Sequence, residues 1–249
     1  MQKYKMSSQE RFFDVSRFRV IVFDLDGTLV EIIPRHAINT FLNFSKRVFD
    51  DFNLKYDKEK LIHSYQQALC EWTKIKKDLH GRRKYLELWA LCFKNAGLPS
   101  SNLTTLASIL QKEIEENSED KLYSDVISLL SKLHDKGFEF GILSERPESA
   151  IKASLLRHNI SHYFGFCISA YDLDNTQTKL NSKIWETLIK IAKHGREEIC
   201  YIGDDYEVDI APAMSHGIPA ILLDRKGKNN NLKCIKIKSL HQLAKLMNL

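Results

Sequence analysis

The pattern that most limits the fold lies after residue 120, where helical periodicity alternates with short apolar runs. The apolar runs are rich in β-branched and aromatic residues and predict strands at 138–143, 164–168, 199–202 and 220–223. An earlier run at 18–24 predicts one more strand, since an Asp-Gly turn follows it at once. Alternation of this kind predicts an α/β fold, in which helices cover both faces of a parallel sheet.

A long helical insertion is predicted between the first strand and the rest of this sheet. Apolar residues recur at helical spacing from about 34 to 116, and Gly97 with Pro99 marks the end of one helix there. The predicted organisation is an N-terminal extension at 1–17, an α/β core at 18–33 and 117–249, and an all-helical domain at 34–116. A capping box formed by Ser239 and Gln242 is expected to begin the last helix.

Composition and charge exclude several classes of protein. The net charge of +5 is dispersed, whereas a nucleic-acid interface would favour a basic stripe with aromatic residues between the charges. Apolar runs are only a few residues long, and a membrane-spanning helix needs about 18. The first residues lack the apolar segment of a signal peptide, and the five cysteines lie far apart. We therefore expect a reduced, cytoplasmic protein that binds neither nucleic acid nor membrane.

Acidic side chains and one hydroxyl follow three of the predicted strands. Asp24 and Asp26 come after the first strand, Ser144 after the second, and Asp204 with Asp209 after the fourth. Because the carboxyl ends of parallel strands share one edge of the sheet, these side chains are expected to converge in one crevice. Their mutual repulsion would be costly without a cation, and Mg²⁺ prefers oxygen ligands of this kind.

Two motifs carry a resemblance to a known family. Residues 24–28 read Asp-Leu-Asp-Gly-Thr, and residues 203–209 read Gly-Asp-Asp-Tyr-Glu-Val-Asp. In these contexts the chain resembles the haloacid dehalogenase superfamily, in particular its Mg²⁺-dependent phosphatases with a Rossmann-like core and a helical C1-type cap, of the phosphoglycolate phosphatase and nucleotidase-like group. The resemblance implies that Asp24 is the nucleophile and that Asp26 is the general acid and base. It also implies that Mg²⁺ binds the Asp24 carboxylate, the Asp26 backbone carbonyl and the Asp204 carboxylate.

The same resemblance assigns the phosphate contacts. Ser144 would donate a hydrogen bond to the phosphoryl group, and Lys179 would supply positive charge. Lys183 is the alternative lysine, although the register with the following isoleucine and tryptophan favours Lys179. Asp209 is expected to order the loop and Lys179 rather than to touch the metal. The structural alternatives are that the Asp26-Gly27 pair is only a turn and that Ser144 is only a helix cap.

Two local features leave their roles open. Glu145 occupies a position that is often Asn in the family, which places an acid beside the phosphate site. The basic residues Arg82, Arg83 and Lys84 lie in a predicted loop between helices and could contact an anionic substrate. A solvated surface cluster is the alternative, and we favour it. Residues 172–176 partly repeat the first motif but are expected to form a polar loop.

These observations predict a Mg²⁺-dependent phosphomonoester hydrolase that acts on a small phosphorylated metabolite. One alternative is a 2-haloacid dehalogenase, which uses the same aspartate to displace halide from carbon. Asp26 speaks against it, because dehalogenation has no leaving oxygen to protonate. The other alternative is a binding or regulatory protein that kept the fold without turnover.

Overall fold

The structure is a computed structural model of the 249-residue chain. It describes residues 15–32, 37–75, 82–117, 119–173, 178–227, 229 and 232–247. Most of the predicted N-terminal extension lies outside the described residues, and so does most of the predicted polar loop at 172–176. The part of that loop that is described belongs to a short helix that ends at Leu173.

The described residues form strands and helices in the order that the sequence predicts, with some additional elements. The strands are β1 (Val20–Phe23), β2 (Val30–Ile32), β3 (Asp120–Leu122), β4 (Glu139–Ser144), β5 (Phe166–Ser169), β6 (Ile199–Gly203), β7 (Ala220–Leu223) and β8 (Ile235–Ile237). The helices are α1 (Ala37–Asp51), α2 (Lys58–Ile75), α3 (Arg83–Asn95), α4 (Leu103–Asn117), α5 (Val126–Asp135), α6 (Glu148–Arg157), α7 (Ala170–Leu173), α8 (Ser182–Ala192), α9 (Ala211–Ser215) and α10 (Leu240–Leu246). A π-helical turn, Tyr206–Ile210, leads into α9.

A parallel sheet is the centre of the molecule. Within the described residues its strand order is β5-β4-β1-β6-β7-β8, and each neighbouring pair is parallel. β1 pairs with β4 on one side and β6 on the other, so that Phe23 lies level with Ile142 and Ile202. The residues that follow these three strands therefore meet at one edge of the sheet.

Side chains alternate between the two faces of the sheet, as the two-residue period of a strand requires. In β1, Ile21 and Phe23 enter one hydrophobic cluster, whereas Val20 and Val22 enter the cluster on the opposite face. Helices α5, α6 and α10 contribute to the first cluster, and α8 and α9 contribute to the second. The predicted α/β fold with helices on both faces is confirmed.

Residues 37–117, which we call the helical region, contain a third hydrophobic cluster of their own. It includes the stacked rings of Phe41 and Trp89, whose centroids lie 5.6 Å apart. The described part of this region forms helices and a short 3₁₀ turn without a strand, as the apolar spacing predicts. Its two connections to the sheet are β2 and β3, which pair antiparallel with Val30 opposite Leu122.

Three features of the fold differ from the sequence prediction. β2 and β3 were not predicted, because three residues are too few to show a two-residue period. β8 was missed for the same reason, and lysines border its isoleucines. The predicted capping box is wrong: the side-chain oxygen of Gln242 accepts a hydrogen bond from the backbone of Lys238, one residue before Ser239, at 2.6 Å.

Candidate active site

A cavity of about 460 Å³ opens at the carboxyl edge of the sheet. Asp24 follows β1, Ser144 ends β4 and Asp204 follows β6, and all three side chains line this cavity. Their convergence follows from the parallel register of the three strands. The helical region supplies the opposite wall through residues of α3 and α4, including Tyr85 and Gln111.

Lys179 joins the two most deeply buried acids of the site. Its ammonium donates to Asp24 Oδ1 at 2.7 Å and to Asp209 Oδ1 at 2.5 Å. A third contact, at 3.2 Å, reaches the hydroxyl of Tyr201. The three side chains of this ion-pair network are nearly inaccessible to solvent, so their charges are screened little by water. Lys179 therefore fixes Asp24 and compensates part of its charge.

The electrostatics of this network follow from burial. Loss of water raises the pKa of Asp24 well above its usual value, and the Lys179 ammonium opposes that effect. The nearby carboxylates of Asp209, Asp204 and Asp26 raise the pKa of Asp24 further. Burial alone would lower the pKa of Lys179, but Asp209 and Asp24 raise it well above the ordinary value. Lys179 accordingly stays protonated, while the acids need more positive charge than one lysine provides.

Asp204 is an acid of the site that lies close to two other carboxylates, Asp24 and Asp209. Ligand atoms of Asp24, Asp204 and Asp209 all lie within 4.8 Å of one another. Among the described residues, no ion pair involves Asp204. Asp204 is still accessible to solvent, but the surrounding cleft and the neighbouring Asp209 raise the pKa of its carboxyl group to about 7. Oxygen donors that repel one another in this way fit a hard divalent cation such as Mg²⁺.

Two glycines allow the loops of the site to approach closely. Gly27 has a φ of +80°, and a Cβ atom there would overlap the carboxylate of Asp204. At the end of β6, a Cβ on Gly203 would overlap the side chain of Asp209. Asp209 Oδ2 in turn accepts from the backbone N–H of Asp205 at 3.1 Å. The missing side chains of Gly27 and Gly203 thus leave the space that Asp204 and Asp209 occupy.

Asp26 lies beside the cavity in an ion pair with Arg146. Arg146 Nε donates to one carboxylate oxygen of Asp26 at 2.8 Å, and Nη2 donates to the other. The remaining guanidinium nitrogen, Nη1, donates to Asp120 at 2.9 Å. Arg146 is buried, whereas the side chain of Asp26 is 31% exposed and faces the cavity. Arg146 therefore sets the orientation of the acid that the sequence nominates for proton transfer.

The phosphate-site candidates occupy distinct positions. Ser144 is buried at the cavity wall, where its Oγ accepts from the backbone N–H of Arg146 at 3.2 Å and keeps its own proton to donate. Lys179 reaches the cavity, whereas Lys183 lies on the exposed surface of α8. Both carboxylate oxygens of Glu145 already accept hydrogen bonds, from Arg82, Thr178 and Lys179.

The basic residues at 82–84 do not act as one solvated cluster, so the favoured interpretation is wrong for two of them. Arg82 is buried, and its Nε donates to Glu115 at 3.0 Å. Arg83 is exposed, with 72% of its side chain accessible. Lys84 lines the cavity, where its Nζ lies 3.4 Å from Asp205 Oδ2.

A family model described as haloacid dehalogenase-like hydrolase matches residues 18–217 of this chain. The chain belongs to this family. The resemblance drawn from the two motifs is thereby confirmed, and so is the prediction that the protein is a hydrolase.

Individual relatives are distant but cover most of the chain. A phosphoglycolate phosphatase from Yersinia pestis is 26% identical over 203 residues, which are 82% of this chain and 79% of the relative. An (S)-2-haloacid dehalogenase 4A from Burkholderia cepacia is 21% identical over 237 residues, 94% of each chain. The crystal structure of a HAD phosphatase from Thermococcus onnurineus superposes with a TM-score of 0.63 at 21% identity, covering 92% of this chain and 98% of that one.

Several residues of the site carried no role in the sequence analysis. Tyr201 contacts both Lys179 and Asp209, and the only signal for it was a polar hydroxyl within an apolar strand. Arg146 follows Ser144 by two residues, but its partners lie 120 and 26 residues away along the chain.

None of the helices in the described ranges has the length and hydropathy to cross a membrane.

Proposed function

We propose that this protein is a Mg²⁺-dependent phosphomonoester hydrolase that acts through an aspartyl-phosphate on Asp24. The observation that carries the proposal is the position of Asp24 in the cavity, within 2.7 Å of the Lys179 ammonium and beside Asp204. A carboxylate fixed by the Lys179 ammonium, with a bound divalent cation beside it, would suit nucleophilic attack on a phosphate dianion. The Asp24 and Asp204 carboxylates and the backbone carbonyl of Asp26 would hold the ion, which shields the nucleophile from the phosphate and stabilises transferring oxygens.

The protein's own residues account for both steps of the reaction. Asp24 attacks phosphorus while the bond from phosphorus to the leaving oxygen breaks, and Ser144 with Lys179 neutralises charge on the phosphoryl oxygens. Asp26 gives its proton to the leaving oxygen and then accepts a proton from the water that hydrolyses the aspartyl-phosphate. Since both carboxylate oxygens of Asp26 accept from Arg146, one of them must leave the guanidinium to carry the proton.

The substrate class follows from the size and charge of the cavity. A cavity of about 460 Å³ accommodates a small phosphorylated metabolite, and Lys84 adds a positive charge to its wall. Phosphoglycolate is the first compound to test, because relatives with that activity cover about four-fifths of the chain. Glyceraldehyde 3-phosphate and nucleoside monophosphates complete the first substrate panel.

The test is release of phosphate from p-nitrophenyl phosphate with Mg²⁺, followed by the metabolite panel. We expect steady turnover by the wild-type protein and loss of at least about a thousandfold in Asp24→Asn, because the amide is a poor nucleophile. Asp135→Asn, which changes an exposed carboxylate on α5, is the matched control and should keep full activity. A protein that releases no phosphate from any ester, or an Asp24→Asn variant as active as wild type, would refute the proposal.

The dehalogenase similarity supports one second candidate. The Burkholderia cepacia dehalogenase matches nearly the full length of this chain, and a dehalogenase would use the same Asp24 to displace halide. Release of chloride from 2-chloropropionate, without release of phosphate from esters, would favour this activity. The presence of Asp26 favours the phosphatase, since displacement of halide needs no proton donor. A protein inactive in both assays would fit the third alternative, a fold that binds without turnover.

A further inference from the structure

We propose that Glu145 is a positioning residue with two roles. Its carboxylate docks the start of α3 against the edge of the parallel sheet, and it also holds the backbone of Lys179 in place. Its catalytic consequence rests on the proposed function, but the two contacts exist independently of it. The family resemblance offers no role for an acid at this position.

The Glu145 carboxylate is bound on two sides. Oε2 accepts from the backbone N–H of Arg82 at 2.6 Å. Oε1 accepts from the hydroxyl of Thr178 at 2.7 Å and from the backbone N–H of Lys179 at 3.0 Å. Glu145 is only 8% exposed, and a buried carboxylate needs such donors to offset the loss of water. Its placement is therefore determined by both partners together.

The helix α3 explains why a carboxylate belongs at this point. α3 begins at Arg83, and no side chain of its own caps it. The backbone N–H groups in the first turn of a helix lack partners within the helix, and they form its positive end. Glu145 supplies the missing acceptor from the sheet domain. Among the described residues, the acceptor for the N–H of Arg82 at the start of this 13-residue helix thus comes from outside the helical region.

Two side chains next to this contact reinforce the docking. The guanidinium of Arg82 lies 4.6 Å from the ring centroid of Tyr171, which follows β5. Lys84 pairs with Asp205, which follows β6, at 3.4 Å. Glu145 itself follows β4. The segment 82–84 therefore contacts the loops after three strands of the sheet, and Glu145 makes the shortest of these contacts.

The other side of the carboxylate acts on Lys179. The backbone N–H of Lys179 donates to Glu145, while the backbone carbonyl of Lys179 accepts from Trp185 Nε1 at 2.6 Å. With both backbone groups fixed, the side chain extends to Asp24 with its ammonium at 2.7 Å. Displacement of α3 would release one oxygen of Glu145 and loosen its hold on Lys179. Docking of the helical region and placement of the lysine are thus linked through one side chain.

The test is Glu145→Gln, which keeps the shape of the side chain but changes one acceptor into a donor. The amide oxygen can still accept from Thr178 and Lys179, whereas the amide nitrogen would face the Arg82 N–H donor to donor. Glu148→Gln is the matched control, because that exposed side chain pairs only with Lys152 among the described residues. Amide hydrogen exchange followed by NMR reports both contacts without requiring activity.

In Glu145→Gln we expect exchange at the Arg82 amide to accelerate about tenfold or more, the effect of losing one hydrogen bond to a charged group. Exchange at the Lys179 amide should also accelerate, by a smaller factor, because its acceptor stays in place but loses its charge and its anchor at α3. The kcat for p-nitrophenyl phosphate should fall about tenfold, while Glu148→Gln matches wild type in all three measurements. Faster exchange at Arg82 with unchanged exchange at Lys179 would overturn the link, and unchanged exchange at both amides would overturn the docking role. The expected exchange in a protein without phosphatase activity would support the link and refute the proposed function.

A second variant keeps the inference testable if Glu145→Gln does not fold. Thr178→Val removes one donor to Oε1 and leaves the carboxylate charge in place. If the two sides of Glu145 are linked, exchange should accelerate at Lys179 and, by a smaller factor, at Arg82. An effect confined to Lys179, or no effect at either amide, would contradict the inference.

Discussion

Replacing Asp120 by asparagine tests how much the buried ion pairs behind the site contribute to stability. Asp120 begins β3, and its side chain is 2% exposed. It accepts hydrogen bonds from Arg146 at 2.9 Å, Ser154 at 2.8 Å and Arg157 at 2.8 Å. His158 Nε2 also lies 2.8 Å away. This carboxylate therefore joins α6 to the arginine that contacts the active site.

The magnitude follows from the pKa of this carboxyl group. Burial alone would raise the pKa of Asp120, but the Arg146 charge and the hydrogen bonds from Ser154, Arg146 and His158 lower it from 3.8 to about 2. A pKa lowered to this extent corresponds to about 2 kcal/mol of stability at neutral pH. Because the folded pKa is the lower one, this contribution is complete above about pH 4 and disappears as the pH falls towards 2.

Asp120→Asn removes the charge and leaves the guanidinium of Arg146 with one carboxylate fewer. We expect the free energy of unfolding at pH 7 to fall by at least about 2 kcal/mol, since removal of one partner from a buried pair is costly. Urea unfolding followed by circular dichroism measures this value, and Asp135→Asn on the exposed side of α5 is the control. A difference below about 0.5 kcal/mol at pH 7, or a difference that does not narrow between pH 4 and pH 2, would refute the reasoning.

Three further predictions concern the site itself. Lys179→Met should lower kcat by about a hundredfold or more, because it removes a charge from Asp24 and the phosphoryl group; near-wild-type kcat in a folded variant would contradict this. Gly27→Ala should raise the Mg²⁺ concentration for half-maximal phosphatase activity about tenfold, because the new methyl group displaces Asp204; an unchanged Mg²⁺ titration would contradict it. Removal of divalent ions with EDTA should abolish phosphatase activity, and excess Mg²⁺ should restore it; activity that persists in EDTA would disprove the metal requirement.

The edge of the sheet could be predicted from the sequence because it depends on local patterns. Apolar runs define the strands, and parallel register brings Asp24, Ser144 and Asp204 to one edge wherever the strands are neighbours. A structural role for a motif glycine is also predictable from sequence, since Gly27 adopts a positive φ that few other residues tolerate. The acids of the site were therefore accessible to reasoning from spacing alone.

The arginines of the site were harder to predict than Lys179, because their partners are set by tertiary packing. Arg146 pairs with Asp26 across 120 positions, and the backbone N–H of Arg82 donates to Glu145 across 63. The second contact depends on how the helical region lies against the sheet, which no strand or helix period encodes. Arg82 belongs to a run of basic residues that looks solvated in sequence, yet its side chain is buried.

The distribution of these cations bears on the role of the metal ion. Lys179 lies between Asp24 and Asp209, and Arg146 lies between Asp26 and Asp120, so each of these acids has a positive partner from the protein. Asp204 has no such ion pair within the ranges that the structure describes, although Gly27 brings the first motif directly against it. A bound divalent cation would supply this missing charge. The expected effect of Gly27→Ala on the Mg²⁺ titration follows from this difference, because that substitution displaces the acid of this group that forms no ion pair with the described residues.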